Sequence, residues 1–210
     1  MSKEENVIRF YVLCNKLKNI VRTGWKDWHV KRERLESVAE HIYSTQMLAI
    51  AMYSEFKYDV DIYKVIYMLA VHELEEILIG DLTQFQISRE EKEKLGHKAI
   101  EDVLSSLENK DFIKDIILEF DERKTKEADF AYHIDKLECD LQCKLYDEEG
   151  CVSVDVEKDA KNIHDETVMK LLKEGKSWSE MWLSFGQGKY NYDENFLRIS
   201  NYAMKNKISK

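Results

Sequence analysis

The 210-residue sequence predicts an all-α fold, and three observations lead there. Apolar residues recur at helical spacing along most of the chain, while the alternation that marks a half-buried strand is weak throughout. Proline, which punctuates loops and breaks helices, is absent, and glycine is sparse at seven, several of them where helices should stop. No internal repeat, low-complexity tract or linker interrupts this pattern. The chain therefore reads as one helical domain over residues 1–210, its core near 7–172 and a segment 173–210 packed on it.

The apolar period places helices over Val7–Ile20, Val38–Phe56, Ile62–Ile79, Ser88–Leu107, Phe112–Arg123, Ala128–Tyr146 and Val156–Leu172. The second of these has a defined start. Ser37-Val-Ala-Glu40 is a capping box, in which a hydroxyl and a carboxylate satisfy free amides, and it puts His41 about one turn into the helix. Before it, Arg22 to Glu36 is an aromatic and basic connection in which Gly24 is expected to break any helix. Gly80 is a natural stop for the third helix and leaves Asp81 in the following turn. The last quarter carries tryptophans and tyrosines with poor periodicity and ends in KNKISK, which is expected to fray.

Composition narrows the function classes. With 44% apolar and 35% charged residues the chain fits a soluble globular protein. A net charge of −9 argues against a sequence-independent grip on nucleic-acid phosphates. No run approaches the ~18 apolar residues of a membrane span, and the first residues do not form a signal peptide. A cytoplasmic protein without nucleic-acid or membrane partners is expected. The four cysteines show no C-x2-C spacing and read as reduced thiols.

The chemistry concentrates in AVHELEEILIGD, Ala70 to Asp81. At about 100° per residue, with His72 at zero, Glu76 falls near 40° and Glu73 near 100°. The same arc holds Val65, Met68 and Leu69 in the preceding turns. The stripe is thus apolar before it becomes charged, which places the cluster at a core edge or cleft floor. Half-buried carboxylates there need a partner or a cation. Glu75 falls outside the arc and is expected to be solvated. HELEE has a glutamate where a zinc protease of the H-E-x-x-H type needs its second histidine, so any metal must recruit ligands from elsewhere. His41 and Asp135 are the candidates. His41 shares a stripe with Thr45, Leu48 and Met52, and Asp135 has the small neighbours Ala128, Ala131 and Cys139. Taken singly, the first also fits a hydrogen-bonded core histidine and the second a surface charge.

Together, Glu36-Ser-Val-Ala-Glu-His41, then His72-Glu-x-x-Glu76 with Ile79-Gly-Asp81, then Ile134-Asp135 resemble the HD-domain phosphohydrolases, most closely the 5'-deoxynucleotidase-like subgroup. Arg22-Thr-Gly-Trp25 matches an element at the start of that subgroup, and the resemblance runs from about Asn15 to Leu145. It implies an HD-type helical bundle, a homodimer, and one divalent transition metal (Mn, Co, Fe, Ni or Zn) held by His41, His72, Glu73 and Asp135. It further implies that Glu76 activates water, that Arg22 grips a phosphate, and that Asp81 and Thr83 contact the sugar of a nucleotide, with Trp25 covering the base or closing the pocket. The activity implied is hydrolysis of (deoxy)ribonucleoside 5'-monophosphates. Glu73 departs from the family's aspartate by one methylene. Two rivals stay open: a catalytically degenerate protein that binds a nucleotide or a partner, and a di-iron oxygenase drawing on His97.

Overall fold

The computed structural model describes residues 2–83, 86–154 and 165–209. Every regular element among them is helical, the only pairing of extended residues being one antiparallel bridge between Val21 and Ser37. In order these are α1 (Lys3–Cys14), a 3₁₀ turn (Asn15–Asn19), α2 (Thr23–Asp27), α3 (Val38–Phe56), α4 (Ile62–Val71), α5 (Glu76–Ile79), α6 (Arg89–Val103), α7 (Asp111–Glu122), α8 (Lys126–Glu148), α9 (Glu166–Lys173), α10 (Trp178–Lys189) and α11 (Glu194–Lys205). Among the described residues, no helix is long and apolar enough to cross a membrane. All four cysteines are free thiols.

The polypeptide divides into two compact units, Met1–Thr23 with Glu36–Tyr132, and Gly24–Leu35 with His133–Lys210. In the first, α1, α4, α6 and α7 surround an apolar core that includes Leu17, Val38, Val71, Ile100, Leu104 and Ile117. Its helices start where side chains satisfy the free amides of the first turn. Ser2 and Glu5 form a capping box, so α1 begins four residues before its apolar period does. Ser37 and Glu40 form another at α3, and Asp61 accepts from the Tyr63 and Lys64 amides at α4. The expected helix Ile62–Ile79 is not continuous: His72–Glu75 form a turn between α4 and α5.

The second unit has an aromatic core. Trp25 packs edge-on against Tyr146 and Trp178, with centroids 5.3 and 6.1 Å apart, and Trp28 meets Trp178 and Trp182. Gly24 lies inside α2 and does not break it; His29, with φ 52°, follows that short helix. The stretch with poor periodicity forms α10 and α11, capped by Ser177 with Glu180 and by Asp193. Of the expected helix Val156–Leu172, residues 156–164, including His164, lie outside the described residues. Asp140 on α8 is buried, accepts from Tyr192 Oη at 3.3 Å, and is pushed well above the usual carboxylate range by burial. A Cβ on Gly186 of α10 would run into its carboxyl group. The chain end is tied: Ile208 and Ser209 donate backbone N–H groups to Glu148 at 2.7 to 3.1 Å. Burial raises the Glu148 pKa, but these donors outweigh it and bring it down to about 2.

Two outcomes follow. Gly186→Ala is expected to lower stability by about 1–3 kcal/mol through overpacking on Asp140, read from urea unfolding. Glu148 has its pKa depressed from 4.5 to about 2, so its tie to the chain end is complete above 4.5 and is lost as pH falls through about 2. Glu148→Gln should weaken it already at pH 7, seen as faster exchange of the Ser209 amide.

Candidate metal centre

The centre is assembled in the first unit where two chain segments are pinned together. Val38 N–H donates to Ile20 O at 2.8 Å and Arg22 N–H to Glu36 O at 3.0 Å, which fixes the segment carrying Arg22 beside the start of α3. His41, one turn into α3, is fully buried. The fully buried Val65, Met68 and Leu69 anchor α4 and carry it to His72.

At His72 the ring itself alters the backbone. Its Nδ1–H donates to the Leu69 carbonyl at 2.8 Å, an acceptor that belongs to the helical ladder. Tighter bonds follow, Leu74 N–H to Val71 O at 3.2 Å and Glu76 N–H to Glu73 O at 3.2 Å, before α5 resumes and ends at Gly80 with φ 73°. A carbonyl can only accept, so Nδ1 carries the proton, and in the neutral imidazole Nε2 keeps its lone pair. Nε2 of His72 lies 3.6 Å from Glu73 Oε1, and Nε2 of His41 lies 3.9 Å from the same oxygen. The two imidazole rings are 5.6 Å apart between centroids, and Phe120 closes on His72 edge-on at 5.2 Å.

These three buried donors fit a divalent ion. Their ligand atoms lie within 4.8 Å of one another, too far for hydrogen bonds within the trio yet close enough to share one cation. The tautomer of His72 is the one a metal requires, its other nitrogen held by a carbonyl. Two imidazoles and a carboxylate suit borderline transition metals. Arg22 Nη1 also reaches Glu73 Oε1, at 3.3 Å.

The other residues singled out from the sequence have defined surroundings. Glu76 is fully buried; its Oε1 accepts from Lys92 Nζ at 3.3 Å, and its Oε2 is buried without a hydrogen-bond partner. Burial, then Glu73 and Asp81, raise its pKa well above the usual carboxylate range, against Lys92 and Arg22. Asp81 holds the Arg22 segment, accepting from Thr23 N–H through Oδ2 at 2.6 Å and from Thr23 Oγ1 through its carbonyl at 2.7 Å. Thr83 Oγ1 is buried without a hydrogen-bond partner. Trp25 and Asp135 belong to the second unit. The Trp25 ring sits in the aromatic core, and Asp135 is buried on α8 with Lys136 Nζ 2.7 Å from its Oδ2. His97 pairs with Asp121 at 3.0 Å on a half-exposed surface.

Glu75 is not solvated as the ideal-helix arc implied. The turn at 72–75 swings it inward, its Oε2 is buried without a hydrogen-bond partner, and a Cβ on Gly96 would sit 3.3 Å from its Cγ. Burial first, then the Glu73 charge, push its pKa up to about 8. Lys92 was also missed; it lies in the charged run REEKEK, where nothing in the residue pattern separates it from its solvated neighbours.

A family model described as HD domain matches residues 14–174. The 5'-deoxynucleotidase HDDC2 of Dictyostelium discoideum is 34% identical over 152 residues, covering 69% of this chain and 79% of that protein. The protein of the same name from Xenopus laevis is 32% identical over 151 residues, covering 70% and 72%. A solved structure from Magnetospirillum magnetotacticum MS-1, described as a predicted metal-dependent phosphohydrolase, shares the fold. Its TM-score is 0.60 at 21% identity, with 96% of this chain and 94% of that one covered.

Chelator-treated protein is expected to gain about 2.7 kcal/mol of stability when Mn²⁺ is present at 100 times its Kd. In His72→Ala the same addition should leave the thermal midpoint unchanged. An equal gain in both proteins would place the ion elsewhere.

Proposed function

The chain belongs to the HD-domain family, and we propose that it is a metal-dependent phosphomonoesterase that hydrolyses (deoxy)ribonucleoside 5'-monophosphates to nucleoside and phosphate. The observation that carries this is the convergence of His41 Nε2 and His72 Nε2 on one buried Glu73 oxygen that Arg22 also reaches. The relatives named 5'-deoxynucleotidase supply the substrate class.

On this reading His41, His72 and Glu73 hold one divalent ion (Mn, Co, Fe, Ni or Zn), and Asp135 is the fourth ligand. Support for Asp135 is its burial as a carboxylate, together with the family resemblance of Ile134-Asp135. The ion supplies Lewis-acid polarisation of a phosphoryl oxygen and a lowered pKa for water. Glu76 accepts the proton of the attacking water through Oε2, the oxygen with no other hydrogen-bond partner. Arg22 neutralises phosphate charge with a planar guanidinium. Asp81, through the oxygen not engaged by Thr23, and the Thr83 hydroxyl bind the sugar.

One observation favours a second reading, a degenerate site that binds a nucleotide without turning it over. Glu73 stands where the family has aspartate, and Arg22 Nη1 pairs with it at 3.3 Å. The di-iron alternative loses support because His97 is engaged by Asp121.

We also propose a homodimer. The inner side of α1 (Phe10, Leu13, Cys14) packs on the core, yet its outer side leaves Val7, Ile8, Tyr11 and Val12 57 to 62% exposed. A helix apolar on both sides calls for a second cover. Antiparallel pairing with a second copy sets Glu4 and Glu5 of one α1 beside Lys16 and Lys18 in the 3₁₀ turn of the other copy. Light scattering should give twice 25.0 kDa, and Tyr11→Glu should give the monomer.

Phosphate release from a panel of nucleoside monophosphates with several divalent metals tests the activity. Glu76→Gln is expected to lower kcat by about 10²- to 10⁴-fold with metal content unchanged. No turnover by folded wild type with any metal, together with gained activity in Glu73→Asp, would establish the degenerate reading instead.

A further inference from the structure

Lys92 has no part in the reaction as described so far. It stands in the first turns of α6, whose start is fixed by the Ser88–Glu91 capping box and by Lys92 N–H donating to Ser88 O at 2.9 Å. From there its Nζ reaches Glu76 Oε1 at 3.3 Å. Glu73, Glu75, Glu76 and Asp81 all act on its charge, so the ammonium is set into the carboxylate group and held there. Glu76 is 0% exposed, and of its two oxygens one is bound by Lys92 while the other has no hydrogen-bond partner.

We propose that Lys92 is a positioning residue for Glu76. By donating to Oε1 it fixes the rotation of the carboxylate, so that Oε2 is the oxygen presented to the attacking water. A buried carboxylate without that donor would be free to turn, and a general base must lie within hydrogen-bond reach of the proton it takes. Misplacement by about 1 Å is enough to reduce a rate by about 10²-fold. The role rests on Glu76 being the base, and the test separates the two assignments.

Lys92→Met keeps the stem and removes the donor; Lys92→Arg restores a donor. The metal-loaded full chain of each variant is compared with wild type, Glu76→Gln and the Lys92→Met/Glu76→Gln double variant. Lys92→Met is expected to lose about 10- to 100-fold in kcat with KM within about twofold of wild type. Lys92→Arg should recover most of the loss, and the double variant should be no slower than Glu76→Gln alone. Crystal structures of wild type and Lys92→Met add a readout independent of turnover: the Glu76 carboxylate is expected to be rotated in the variant. If Lys92→Met does not fold by circular dichroism, Lys92→Gln takes its place. A raised KM with unchanged kcat would assign Lys92 to the substrate phosphate and overturn positioning. So would additive losses in the double variant, unchanged kinetics, or a Glu76 carboxylate that superposes in the two structures. An inactive wild type would overturn Glu76 as base, and the carboxylate orientation would then decide the role of Lys92 by itself.

Discussion

The hydrogen bond from His72 Nδ1 to the Leu69 carbonyl, 2.8 Å long, governs the geometry of the centre. It sets the tautomer, leaving Nε2 as the proposed ligand atom, and it takes an acceptor from the ladder of α4. The chain then tightens into a turn at His72–Glu75 and re-enters a helix at Glu76. As a result Glu73 points back between the two imidazoles, and Glu75 turns toward α6 against Gly96. A helix without that interruption would have spread these carboxylates around its axis at about 100° intervals.

The second governing fact is charge. The Glu73 charge acts on both Glu75 and Glu76, and Asp81 on Glu76; Lys92 opposes this at both glutamates and Arg22 at Glu76. Burial pushes Glu75 and Glu76 upward, and the Glu73 charge pushes them further. Desolvated carboxylates in such a group are stable only when neutralised, by protons or by cations. The divalent ion proposed at Glu73 would supply that neutralisation and ease both glutamates toward their ionised forms. The same argument explains why Arg22 leans on Glu73 and Lys92 on Glu76.

Much of this was legible in the residues. The capping box at Ser37, the apolar stripe leading into His72 and the Gly80 stop each rest on local chemistry, and the structure reproduces them. That His41, His72 and Glu73 belong together came from the family resemblance, since each residue taken singly also fitted a plain structural role. What escaped was set by non-local or non-ideal geometry. The inward turn of Glu75 depends on a side chain competing for a backbone carbonyl, which periodicity cannot register. Lys92 looks like any lysine in a charged run until Glu76 is seen beside it. Trp25 is held in an aromatic core by Trp178, more than 150 residues away in sequence. α10 gave no clean period because buried residues fall on most of its faces, among them Trp178, Met181, Leu183 and Phe185, whereas α11 is amphipathic; the Ser177–Glu180 and Asp193 caps of both were readable.

The central claim, that the Nε2 atoms of His41 and His72 and the Glu73 carboxylate share one divalent ion, is tested most directly by anomalous diffraction from crystals grown with Mn²⁺. One anomalous peak within about 2.3 Å of both Nε2 atoms and a Glu73 oxygen, with Asp135 as a further ligand, is the result predicted. No peak there, with Arg22 paired to Glu73 at 3.3 Å as in this structure, would contradict it.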